Sequence, residues 1–89
     1  MNQRMSDPSS SDTPLRTTFK IRLNGSTLAI ETVGQAYQFL TNYNSVEWME
    51  FRSLHEAAVA ALEGAADNGI LAVPATNAVR ALFVSAKLL

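Results

Sequence analysis

No cysteine occurs in the 89 residues, which removes disulfides, thiolate nucleophiles and thiolate metal sites together and is compatible with a reducing compartment. Histidine occurs once, at His55, so a centre built from several imidazoles is excluded as well. Charge is sparse and balanced: seven Lys and Arg against eight Asp and Glu leave a formal net charge of −1. That balance provides no long-range field to gather nucleic acid or an anionic membrane. No apolar run approaches the roughly 20 residues of a membrane-spanning helix. Met1 to Leu15 lacks the apolar centre of a secretory signal, and the expected location is the cytoplasm. The four glycines are scattered: Gly34 stands alone and Gly69 is too far ahead of Pro74, so no phosphate-cradling loop precedes a helix.

What is present is enough apolar residue, 47%, for one core and too short a chain for two. Residues 1–16 are rich in Ser, Asp and Pro, and are expected to form a disordered tail that cannot offset its ordering entropy. The rest, 17–89, reads as a single α+β domain. Phe19, Ile21 and Leu23 alternate with Lys20 and Arg22, the period of a half-buried strand. Asn24-Gly25 suits the two positive-φ positions of a type I′ turn, and a second strand follows over Ser26 to Glu31. A two-residue loop sets Leu23 against Ser26, Ile21 against Leu28 and Phe19 against Ile30. The apolar side chains then share one face, and Lys20, Arg22, Thr27, Ala29 and Glu31 the other.

Thr32-Val33-Gly34-Gln35 matches a capping box and opens a first helix carrying Val33, Ala36, Tyr37, Phe39 and Leu40, with a stop expected over Asn42 to Ser45. A second helix is expected from about Val46 to Glu63. Its stripe is Phe51, Leu54, Ala58, Ala61 and Ala65, flanked by Trp48, His55 and Leu62. Either Gly64 or Gly69 is expected to end it. Ile70 to Val73 reads as a covering loop or a minor strand. Pro74 sits in the first turn of a last helix whose buried face is Ala75, Val79, Leu82, Phe83 and Ala86. The expected architecture is β-β-α-α-α: an N-terminal hairpin followed by three helices.

Phe51-Arg52, Ala57-Ala58, Ala61-Leu62 and Gly64, followed by Arg80, Leu82-Phe83-Val84 and Ala86, resemble the small bacterial family known as domain of unknown function 982. Thr32-Val33 and Ala36 to Leu40, just after a hairpin, are similar to it too, so that the resemblance spans roughly residues 19–87. Ala58 stands where that family often has a cysteine. The resemblance implies the fold and a bacterial source; it implies no catalytic or ligand-binding residues, since none are established for the family.

Several side chains invite a chemical reading. His55 as a general base would need Ser53 or Ser85 as a nucleophile, but neither lies in an elbow-type sequence. Its helical neighbours Phe51 and Ala58 are apolar, which suits a partly buried histidine with one hydrogen bond. Glu56, Glu63 and Asp67 lie on one polar helix face and would need further ligands to hold a cation. No catalytic, metal or cofactor site is therefore expected. Tyr37, Tyr43, Trp48 and His55 form a possible aromatic pocket for a small-molecule ligand. Lys20 and Arg22 could touch nucleic acid from the hairpin, though two charges give weak binding at physiological salt.

The favoured reading is a non-catalytic interaction module that pairs with a second copy or another protein through its hairpin, with Thr27 and Ala29 at the contact. The second strand has small uncharged residues where the first has Lys20 and Arg22, so it is the less protected edge. Prolines at Thr27 and at Ala29 are expected to differ, one cutting the contact and the other the hairpin's own ladder. A sensor with an aromatic pocket and a weak nucleic-acid binder are the alternatives.

Overall fold

In a computed structural model, described over residues 8–23, 25–42 and 49–89, a two-stranded antiparallel hairpin is followed by three helices. Strand β1 (Pro14–Leu23) pairs with β2 (Ser26–Thr32), and α1 (Val33–Asn42), α2 (Arg52–Asp67) and α3 (Ala72–Ser85) follow. The register is Leu23 against Ser26, Ile21 against Leu28 and Phe19 against Ile30, as alternation and turn chemistry require. Gly25 has φ +81°, the conformation a type I′ turn needs; Asn24 lies outside the described residues. Phe19, Ile21 and Ile30 are buried, whereas Lys20, Arg22, Thr27, Ala29 and Glu31 are exposed. Leu28 shares the inner face yet remains 42% exposed.

The N-terminal boundary differs from the sequence expectation. Residues 8–16 belong to the folded unit: Pro8–Ser10 is a 3₁₀ turn, β1 begins at Pro14, and Leu15 is buried. The physical reason is an anchorage that composition does not reveal, because backbone groups make it. An α-helix leaves its first four N–H groups without intrahelical partners. Here the carbonyl of Thr13 accepts from Val33 N at 2.8 Å and that of Ser11 accepts from Gly34 N at 2.9 Å. The capping box supplies the other two acceptors: Thr32 Oγ1 accepts from Gln35 N at 3.1 Å and Gln35 Oε1 from Thr32 N at 3.3 Å. The Gln38 side-chain amide donates to the Ser9 carbonyl at 2.6 Å. The segment thus closes over the start of α1. Between Pro14, opposite Thr32, and Phe19, opposite Ile30, the register shifts, a bulge that bends the strand toward α3. There Arg16 N donates to Thr76 Oγ1 at 3.0 Å. Residues 1–7 of the expected tail lie outside the described residues.

The helices follow their apolar stripes, with corrections at the ends. The first helix is described to Asn42, the first residue of the stop expected over Asn42 to Ser45; the rest of that stop and the start expected at Val46 lie outside the described residues. Phe51, expected within the second helix, instead stands ahead of Arg52 with φ −117° and ψ 38°. Neither glycine ends α2. The helix runs through Gly64 to Asp67 because Ala65 and Ala66 continue it well, and extended Asn68 closes it, donating its N–H to the Gly64 carbonyl. Asn68 Oδ1 then accepts from Ile70 N at 3.1 Å, shaping a 3₁₀ turn over Gly69–Leu71. Ile70 to Val73 is therefore neither strand nor loop; Ala72 already starts α3. Pro74 falls in its first turn, where an N–H has no helical partner to lose.

Leu62 faces the core with Ala58 and Ala65, rather than flanking the stripe, and α2 packs on both α1 and α3. Small residues at Ala58, Ala65, Ala72 and Ala75 leave little side-chain bulk on these packed faces. Phe83, fully buried, lies at the centre. Its ring meets Phe19 edge-on at 5.4 Å and Phe39 edge-on at 5.7 Å.

Thr76 is the one buried polar side chain among the described residues. Its hydroxyl donates to the Ala72 carbonyl at 2.7 Å while accepting from Arg16 N. Thr76→Val keeps the shape and removes that acceptor, so a loss of about 1 kcal/mol in denaturant unfolding is expected, with Thr76→Ser closer to wild type. At the other end of α3, Leu88 N donates to the Phe83 carbonyl at 2.9 Å and Lys87 N to the Val84 carbonyl at 3.1 Å. This is a Schellman closure with Lys87 at φ 60°, a position that favours glycine. Lys87→Gly should raise stability by about 0.5–1 kcal/mol, read as a higher melting temperature.

Candidate interface on the second strand

The hairpin register decides which backbone groups face outward. In an antiparallel pair, residues that exchange hydrogen bonds alternate with residues that do not. Leu23 and Ser26 flank the two-residue loop and exchange bonds, so Leu28 and Ile30 also bond inward to β1. Thr27, Ala29 and Glu31 then direct their N–H and C=O away from it. An independent contact fits this phase: Glu31 N donates outward to Gln35 Oε1 at 2.6 Å. The sheet has only β1 and β2 among the described residues, so β2 presents the backbone of Thr27 and Ala29 at an open edge. Thr27 and Ala29 are two residues apart and point the same way, which corrects the expectation that prolines there would act oppositely.

Beside this edge runs an open, mainly apolar groove of about 310 Å³. Leu28, Ala29 and Ile30 form one wall; Gln35, Gln38, Phe39 and Asn42 on α1 form the other. The capping box fixes the start of α1 directly after β2, so the helix returns alongside the strand that precedes it. A second hollow, of about 450 Å³, lies at the turn between Arg22, Gly25, Ser26 and Thr27. Sequence reasoning named Thr27 and Ala29 as a candidate contact; Leu28, Gln35 and Gln38, which it did not name, line the groove beside them. Leu28 is in phase with Ile21 and Ile30, and alternation alone carries no sign that its side chain stays partly exposed.

The aromatic-pocket residues are not shown as one site. Tyr43 and Trp48 lie outside the described residues. The Tyr37 hydroxyl donates to Glu63 Oε2 at 3.3 Å. His55, half-buried, places Nε2 2.8 Å from the Leu40 carbonyl; a carbonyl only accepts, so Nε2 carries the proton. Leu40 lies in the last turn of α1, where carbonyls lack helical partners, and His55 satisfies one of them. The sequence expected His55 to be partly buried with a hydrogen bond, and the structure gives the Leu40 carbonyl as a partner. His55 and Glu63 also border a shallow hollow of about 240 Å³ with Glu56, Val59 and Ala60.

The exposed Ser53 precedes His55 by two residues on α2, and such neighbours do not face each other. Glu56, Glu63 and Asp67 are exposed, and among the described residues no group of three or more acidic or imidazole side chains gathers as a metal site. Lys20 and Arg22 stand on the outer hairpin face, while Arg80 lies over the Phe19 ring with its guanidinium carbon 5.9 Å from the centroid. Among the described residues no helix is long and apolar enough to cross a membrane. Compared with models of known protein families, with curated proteins and with solved structures, the chain matches none.

Proposed function

We propose that this chain is a non-catalytic interaction module of the bacterial cytoplasm that associates with a second copy of itself by strand addition at β2. The observation that carries the reading is the outward-facing backbone of Thr27 and Ala29 beside an apolar groove. Open edges with small uncharged side chains recruit another strand, and main-chain hydrogen bonds supply the affinity. Two hairpins joined in this way make a four-stranded sheet, and a hairpin alone is marginal in water. The hairpin-then-helices order accords with the resemblance to domain of unknown function 982, and membership of that family is part of the proposal. The pocket reading is weaker, since Tyr37 and His55 are engaged in bonds to Glu63 and to α1.

Sedimentation equilibrium tests the proposal. The wild type should be a dimer at micromolar concentration. Ala29→Pro should remain folded, because its N–H serves no bond to β1, and should weaken the dimer about 5- to 100-fold through loss of a donor in each copy. Leu28→Pro should instead unfold the hairpin by removing a ladder donor. A monomeric wild type at high micromolar concentration refutes the proposal, and a dimer unaffected in folded Ala29→Pro moves the contact elsewhere.

A further inference from the structure

Resting on that strand-edge reading, we infer a particular pairing: β2 meets β2 of the second copy with Leu28 on the two-fold axis, and Glu31 of each copy reaches the hollow beside Arg22 of the other. Three observations converge on it.

The first is the phase of the edge. Outward-facing residues must pair with outward-facing residues, so Thr27 can oppose Ala29 of the second copy, and Ala29 its Thr27. Both backbone pairs are then satisfied symmetrically, as an isologous contact requires. Leu28 falls opposite Leu28, and the two partly exposed side chains cover one another at the groove. Shifting the axis to Ala29 would set Thr27 against Glu31, whose N–H already donates to Gln35. That register leaves the Thr27 carbonyl without a donor, whereas the Leu28-centred one pairs every outward N–H and C=O of Thr27 and Ala29.

The second is charge. Arg22 lies opposite Thr27, and Glu31 sits four residues further along the same outer face, about 13 Å away at the rise of a strand. Within one chain the two stand at opposite ends of the hairpin. Across the proposed axis, Ala29 aligns with Thr27 and Arg22 of the second copy, and Glu31 is two residues beyond Ala29. The Cα atoms of Glu31 and the second copy's Arg22 are then roughly 12 Å apart, given strand spacings of about 4.8 Å. Two long side chains span that gap, and the two-fold axis forms the pair twice.

The third is shape. Between the two charges lies Gly25, which has no side chain and open space where a Cβ would be. The hollow of Arg22, Gly25, Ser26 and Thr27 is thus the opening through which the second copy's Glu31 approaches.

Because the chain lacks cysteine, single-cysteine variants of the full chain read the register directly. Opposed residues in a non-hydrogen-bonded antiparallel pair have Cα atoms about 4.5 Å apart, within disulfide range. Leu28→Cys should form a covalent dimer on mild oxidation, while Thr27→Cys, roughly 8 Å from its own copy across the axis, should not. A wild-type dimer in which Thr27→Cys or Ala29→Cys cross-links and Leu28→Cys does not overturns this register but leaves strand addition standing. A monomeric wild type overturns both. In sedimentation equilibrium, Glu31→Arg and Arg22→Glu should each weaken the dimer roughly 2- to 30-fold, and the two together should restore it. A dimer indifferent to either charge reversal removes the Glu31–Arg22 pairing.

Discussion

Phe83→Ala should cost about 3–5 kcal/mol and leave the chain only marginally folded at room temperature. Three circumstances place it at the upper end of what a single substitution does. Phe83 is fully buried, so the whole ring volume becomes cavity or forces collapse. It joins three elements at once, with edge-on partners from β1 (Phe19) and from α1 (Phe39) while itself belonging to α3. Each aromatic pair contributes about 0.5–1.5 kcal/mol beyond burial. A domain this small has a stability near the low end of the usual 5–15 kcal/mol, so the loss is a large part of the whole. Phe83→Leu keeps most of the volume and should remain folded, about 1–2 kcal/mol less stable. Urea unfolding followed by circular dichroism checks both, and a Phe83→Ala protein within 1 kcal/mol of wild type would mean that the three elements do not share this core.

Gly34→Ala is expected to destabilise by about 1–3 kcal/mol, and its sign is the informative part. In a helix without tertiary contacts the same change gains about 1 kcal/mol. Here a Cβ on Gly34 would overlap the Ser11 carbonyl oxygen, and it would stand 2.9 Å from the Ser9 carbonyl oxygen and 3.0 Å from Ser11 N. All three are backbone atoms and cannot swing aside as a side-chain tip would. The segment ahead of β1 must lift, which loses the bonds from Val33 and Gly34 to Thr13 and Ser11. Stability measured in denaturant should therefore fall, whereas a gain would show that residues 8–13 do not close over α1.

The register from Phe19 to Leu23 was legible, because a two-residue Asn-Gly loop and period-two alternation constrain it independently, whereas the shift between Pro14 and Phe19 was not. The capping box was legible for a similar reason: its side chains name the bonds they make. What was missed was carried by the backbone. Residues 8–16 look like a solvated tail by composition, but Ser11 and Thr13 act through their carbonyls, which any residue possesses. Only Gly34, placed where alanine would suit a free helix, hints that something approaches closely. The end of α2 stayed open between Gly64 and Gly69 because either glycine is a plausible stop by propensity; Ala65 is drawn into the core and the helix continues to Asp67. At the candidate interface, Thr27 and Ala29 could be named from their lack of charge. The direction of their N–H groups, the exposure of Leu28 and the wall provided by Gln35 and Gln38 depend on how α1 returns along β2, a tertiary relation without a local signal.

Amide hydrogen exchange at Thr27 and Ala29, followed as a function of protein concentration, is the most direct test of self-association at β2. In the monomer both amides point to solvent and should exchange rapidly, while those of Leu28 and Ile30 are held by the ladder to β1. As concentration rises through the dimer range, Thr27 and Ala29 should become protected together, with Leu28 changing little. If the mass doubles while Thr27 and Ala29 go on exchanging at the monomer rate, the β2 edge is not where the copies meet.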